Sequence, residues 1–228
     1  VKFSPRSMRD VWYTGSKRLT ASQRARLEAS GLSVHHVPLI RTTLTGKPMP
    51  IDRFDWLVVT SQNAVPALHE VPRDVRVAAV GEKTKKALEA VGFTVSLMPE
   101  PYTGEALFRE LKQMLKPEET VLFARGNLAN TDHLSVFPNV YDWVVYETEP
   151  VTLSKTEQTQ LETVEALLVL SPSAVNALVP YVERFHGTWY AIGEVTEQAV
   201  REVSTLPVRV PECYTMDALI QCVGEDFS

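Results

Sequence analysis

Three pairs of hydroxyl side chains recur along this chain at nearly constant separation: Ser61 and Ser171, 110 residues apart, then Thr84 and Thr196, and Thr103 and Thr215, each 112 apart. Each stands where an apolar run gives way to a helical pattern. A hydroxyl in that position commonly caps the helix by accepting from a free backbone N–H. It can also join the unpaired amides of the helix start in holding a phosphate or carboxylate, with no basic side chain required. Taken singly, all six residues read as N-caps. Taken together, the matched set reads as a polar rim for an anionic ligand. Gly81 and Gly193 precede the second pair and serve either a tight strand-to-helix turn or the close approach of a ligand. Arg125 ends a further apolar run and is a candidate carboxylate contact. Lys83 is the candidate within the short basic cluster Lys83, Lys85 and Lys86, a pattern that otherwise marks a solvated face.

The hydroxyls recur because longer segments recur. Phe54 to Leu68, FDWLVVTSQNAVPAL, matches Val164 to Leu178, VEALLVLSPSAVNAL. RVAAVGEKTKKALE from Arg76 matches TWYAIGEVTEQAVR from Thr188, and PEPYTGEAL from Pro99 matches PECYTMDAL from Pro211. Short apolar runs alternating with helical patterns predict parallel strands joined by crossover helices. In the first copy the strands fall near Trp56 to Val59, Val75 to Val80, Thr94 to Leu97, Val121 to Ala124 and Val140 to Tyr146. Helices are expected after each of the first three, and a helix-prone segment after the fourth.

The second copy ends one helix after Thr215, so its remaining strand, helix and strand must come from the N-terminus. Val11 to Thr14 supplies a strand. Thr20-Ala21-Ser22-Gln23 is a capping box opening a helix that Gly31 closes, and Val34 to Ile40 is the returning strand. The expected fold is α/β, with two similar domains, each a parallel sheet flanked by helices. Residues 1–36 and 150–228 form a discontinuous domain one, and 43–142 an inserted domain two. Residues 37–42 and 143–149 form a two-stranded linker, a hinge that would let the domains close on a ligand.

Composition narrows the partners. The 228 residues carry 23 Lys and Arg against 28 Asp and Glu, a net charge of -5, which argues against a nucleic-acid backbone as partner. Cys213 and Cys222 match neither a zinc knuckle nor a C-x-x-C pair and read as free thiols. His35 and His36 are adjacent on an extended segment, point to opposite faces, and read as structural rather than metal-binding. No phosphate loop, dinucleotide fingerprint, nucleophile elbow or zinc-protease pair occurs, so no cofactor or metal is expected. Arg6, Arg9, Lys17 and Arg18 lie in the first twenty residues without an apolar stretch, so neither a signal peptide nor a membrane anchor is expected there, and the expected location is cytoplasmic.

The ordered set LVVTSQNAV, VAAVGEKTKKALEAVGF, PYTGEAL, LFARGNLA, VVYET, LLVLSPSAV and YAIGEVTEQAV resembles the uroporphyrinogen-III synthase family over nearly the whole chain. The resemblance implies a lyase without cofactor, expected as a monomer. Its substrate would be hydroxymethylbilane, a linear tetrapyrrole with eight carboxylates, closed into uroporphyrinogen III with loss of water and inversion of the last pyrrole. It places the family's tyrosine, which helps the hydroxyl depart, on Tyr146 of VVYET. It places polar site residues on Thr84, Ser171 and Thr196, beside Ser61, Thr103, Arg125 and Lys83. On packing grounds alone, Tyr146 reads as a buried linker residue with its hydroxyl tied off. Gln62-Asn63 stands where some relatives carry Pro-Arg, which leaves more of the anion binding to backbone amides. The alternative reading is a two-lobed cytoplasmic anion-binding or sensor module, which would share the hinge but convert nothing.

Overall fold

The computed structural model describes residues 8–228, without the side chains of residues 133 and 136; Arg6 lies outside that range. The described residues divide into two compact units, one made of residues 8–41 and 149–228, the other of 42–148.

The inserted unit holds β4 (Trp56–Val59), β5 (Arg76–Ala79), α2 (Glu82–Ala90), β6 (Val95–Leu97), α3 (Gly104–Met114), β7 (Val121–Gly126) and β8 (Val140–Pro150). The discontinuous unit begins with β1 (Arg9–Tyr13), α1 (Ala21–Ala29) and β2 (Leu32–His36). It resumes after the insertion with α4 (Lys155–Leu161), β9 (Ala166–Val169), α5 (Pro172–Leu178), β10 (Thr188–Ala191), α6 (Glu194–Val203), β11 (Val208–Arg209) and α7 (Met216–Phe227). Its sheet runs β11-β10-β9-β1-β2, and the other runs β6-β5-β4-β7-β8 with β3 (Ile40–Leu44) added beside β8. Apart from β3 the two orders are the same, with β1 and β2 taking the places of β7 and β8. The pairs from β4 to β8 and from β1 to β11 are parallel.

Both faces of each sheet are covered, as parallel sheets require. Alternation along β4 sends Leu57 and Val59 to one core, with Leu88 of α2, and Trp56 and Val58 to another, with Leu107, Phe108 and Leu111 of α3. Along β9, Leu167 and Val169 meet Val175 of α5 and Val200 of α6, while Ala166 and Leu168 meet Leu27 of α1 and Leu219 of α7. Thr20 and Gln23 close the expected capping box, and Gly31 takes φ +78 just beyond α1.

Three sequence expectations change. The segment after β4 is a 3-10 helix, Gln62–Ala67, because Pro66 falls inside it and removes an N–H. In the matching α5, Pro172 sits in the first turn, where its missing N–H costs nothing. The segment between β7 and β8 is likewise 3-10, Asp132–Val136. The run from Val34 to Ile40 is two strands rather than one: β2 stops at His36, Pro38 cannot donate to a ladder, and β3 starts at Ile40.

Glu119, on the turn into β7, is buried; it accepts from Arg76 Nη2 at 2.5 Å and from Lys116 N at 3.1 Å. The Arg76 hydrogen bond, followed by that from Lys116, holds its carboxyl below the usual carboxylate range. A depressed acid stabilises the fold above its unfolded ionisation range and loses that contribution as pH falls through its folded one. Glu119→Gln should therefore cost about 1–2 kcal/mol at neutral pH. Urea unfolding curves of variant and wild type should converge as the pH is taken below the carboxylate range.

Candidate functional site

The carboxyl ends of the parallel strands in each unit carry the paired hydroxyls. Ser61 Oγ accepts from Asn63 N at 3.2 Å, Thr103 Oγ1 from Ala106 N at 3.1 Å, Ser171 Oγ from Ala174 N at 3.2 Å and Thr215 Oγ1 from Ala218 N at 3.2 Å. All four are N-caps. Capping uses a lone pair of the hydroxyl and leaves its hydrogen able to donate. A capping Ser or Thr can thus still donate to a carboxylate, so the two readings are compatible.

Thr84 and Thr196 are not caps. The caps of α2 and α6 are Gly81 and Gly193, which puts both threonines at the third helical position, buried at 5% and 3% exposure. The physical reason is the turn. Gly81 adopts φ +82, which a side chain disfavours, and its missing Cβ would meet nothing within 4 Å. Gly193 is extended, and a Cβ there would lie 3.2 Å from the ring of Tyr214. The first glycine serves the turn and the second a close side-chain approach. Among the described residues neither threonine hydroxyl has a hydrogen-bond partner. Each sits beside the free amides of its own helix.

Arg125 is placed otherwise than a free carboxylate contact would be. Its Nε and Nη2 grip the two oxygens of Asp142 at 2.6 and 2.7 Å, and Nη1 donates to Gly126 O at 3.0 Å. That fork answers its charge within the unit, because the β7–β8 pairing brings the two residues to neighbouring strands. Lys83 is exposed on the first turn of α2 and takes part in no ion pair among the described residues.

Tyr146 is 9% exposed on β8, its ring pressed against Gly126 so closely that a Cβ there would fall 2.7 Å from Oη and nearer still to the ring carbons. Its backbone is fixed: Tyr146 O accepts from Asn127 N at 3.1 Å, and Thr148 N donates to Asn127 Oδ1 at 2.9 Å. The ring is packed as a linker residue would be. The hydroxyl is not tied off, since it has no partner among the described residues.

A family model described as uroporphyrinogen-III synthase HemD matches residues 22–221. The chain belongs to the uroporphyrinogen-III synthase family. A curated relative from Methanocaldococcus jannaschii, provisionally named a uroporphyrinogen-III synthase, is 24% identical over 201 residues, covering 76% of this chain and 80% of that one. The uroporphyrinogen-III synthase of Synechococcus elongatus is 29% identical over 129 residues, 49% of this chain and 48% of that one. The same fold is seen in the Helicobacter pylori uroporphyrinogen-III synthetase crystal structure, with TM-score 0.64 and 22% identity over 94% of this chain and 97% of that one. A mutant Thermus thermophilus uroporphyrinogen III synthase gives TM-score 0.65 at 19% identity over 95% and 98%. The fold class expected from the repeat is the fold of these family members.

Within this uroporphyrinogen-III synthase family chain, His35 and His36, both expected from the sequence to be structural, are placed differently. His35 is spent on structure, with Nε2 at 2.9 Å from Asp10 Oδ1 and 3.2 Å from Ser33 Oγ. His36 sits differently, against the ring of Tyr13. The signal that separates them is strand register, which periodicity alone does not supply.

Proposed function

We propose that this protein is the cyclising lyase that converts hydroxymethylbilane to uroporphyrinogen III, with loss of water and inversion of the terminal pyrrole. The observation that carries the reading is the family match over residues 22–221. The geometry agrees with it. Each unit sets hydroxyls and free helix amides at its strand ends, the donors an oligocarboxylate needs. Ser61, Thr84, Thr103 and Lys83 in the inserted unit, and Ser171 and Thr196 in the discontinuous unit, are the residues assigned to substrate carboxylates. Arg125 acts through its ion pair by fixing β8 rather than by touching the ligand. Tyr146 donates a proton to the departing hydroxyl. Positioning does the rest: a flexible chain whose ends are held together closes in an oriented unimolecular step. We further propose that the protein works as a cytoplasmic monomer.

The test is to supply hydroxymethylbilane and resolve the uroporphyrinogen isomers formed. Rapid, predominant formation of the type III isomer is expected. The symmetric isomer alone, appearing at the rate seen without protein, would leave the sensor reading in its place.

A further inference from the structure

The ends of β1 and β2 carry a second aromatic site. Tyr13 and His36 are the last register partners of these strands, so their side chains leave the same face of the sheet. Their rings stack with centroids 5.3 Å apart and planes 27° from parallel. His36 Nε2 lies 2.6 Å from the carbonyl oxygen of Gly15. A carbonyl only accepts, so Nε2 carries the hydrogen and Nδ1 of the neutral ring keeps its lone pair. Among the described residues Nδ1 has no hydrogen-bond partner. The Tyr13 hydroxyl has none either, although that residue is only 4% exposed.

The phenol of Tyr13 lies on the bare face of Gly15, where a Cβ would overlap its oxygen and come within 2.8 Å of Leu170 Cδ1. At the end of β7, the strand that occupies the place of β1 in the other sheet, Gly126 also carries a phenol on its bare face, that of Tyr146 from the neighbouring β8. Each unit therefore rests a phenol on a strand-end glycine. In the discontinuous unit an imidazole stands beside it. Burial pushes the Tyr13 phenol up, so it stays protonated and cannot itself serve as a base.

The proposed reaction calls for such a group. Closure with inversion breaks the carbon–oxygen bond of the hydroxymethyl group and the bond from the terminal pyrrole to its meso carbon, makes two carbon–carbon bonds at the two α-carbons of that pyrrole, and breaks the carbon–hydrogen bond at its free α-carbon. The hydroxyl and that hydrogen leave as water, so one proton is delivered and one is taken up. Tyr146 is assigned the delivery, which leaves the uptake to a second group. Resting on the function proposed above, we infer that His36, through Nδ1, takes the proton from the pyrrole α-carbon, held in place by Gly15 O and the Tyr13 ring.

His36→Gln tests this, because a glutamine amide can keep the N–H donated to Gly15 while the Nδ1 lone pair is lost. With hydroxymethylbilane as substrate, kcat should fall about a hundredfold, with KM within about twofold and the melting temperature unchanged. His36→Ala should recover turnover in a saturating manner on adding imidazole, and it decides the matter if the glutamine variant does not fold. Wild-type kcat in the glutamine variant, or no recovery of the alanine variant with imidazole, overturns the inference. Wild-type protein producing type III isomer in the same assay separates that outcome from failure of the proposed function, in which the wild type too would be inactive.

Discussion

Tyr146→Phe is expected to lower kcat about a hundredfold while leaving the melting temperature within about 2 °C. The substitution keeps the ring that packs against Gly126 and deletes only a hydroxyl that has no partner among the described residues. Removing an unpaired hydroxyl leaves no orphaned donor or acceptor behind, so stability has little reason to change. Turnover has a strong reason, if that hydroxyl gives the leaving group its proton. Gly126→Ala reaches the same phenol from the other side. Its new methyl would overlap the Tyr146 ring, and the strand around it is pinned by Asn127 and by the Arg125–Asp142 fork. The ring must move, and kcat should fall as far as in Tyr146→Phe, now with a measurable loss of stability. Steady-state kinetics beside thermal melts of both variants check the pair. Unchanged turnover in Tyr146→Phe removes the residue as proton donor.

Gly187→Ala should lower the melting temperature by about 10 °C. A Cβ at this position would fall 2.7 Å from the Glu165 carbonyl carbon and 2.8 Å from Val164 O, with the Glu165 oxygen closer still. These are backbone atoms of the turn into β9, and Thr188 N already donates to Glu165 O at 2.9 Å. No side-chain rotation relieves the overlap, so the junction of β9 and β10 has to open. Overpacking of that kind costs about 3 kcal/mol, and each kcal/mol moves the midpoint by roughly 2–4 °C in a protein of this size. Scanning calorimetry reads the shift directly. The effect belongs to stability rather than chemistry: the residual folded fraction should keep the wild-type KM.

The sheet cores were legible in the sequence because a strand buried on both faces is an unbroken apolar run, as in WLVV of β4 and ALLV of β9. The capping box at Thr20 was legible because it depends on four consecutive residues. What escaped depends on register or on a single backbone torsion. Thr84 and Thr196 read as caps by residue type, but Gly81 and Gly193 occupy the cap positions and leave the threonines at the third helical residue. Arg125 reads from its strand-end place as a substrate carboxylate contact, whereas the carboxylate it holds is Asp142, 17 residues away and brought to it only by the pairing of β7 with β8. His35 and His36 are indistinguishable by type. The parallel register that sets one against Asp10 and the other against Tyr13 is a property of the folded sheet.

Under the proposed function, the Thr84 and Thr196 hydroxyls each contribute to binding the carboxylates of hydroxymethylbilane. Thr84→Val and Thr196→Val, singly and combined, test it most directly through KM for hydroxymethylbilane. Each lost hydrogen bond to a carboxylate should raise KM about tenfold or more, and the double variant should show the product of the two factors, roughly a hundredfold, with the fold intact by circular dichroism. A substrate affinity that depends on one threonine and is indifferent to the other would contradict the account.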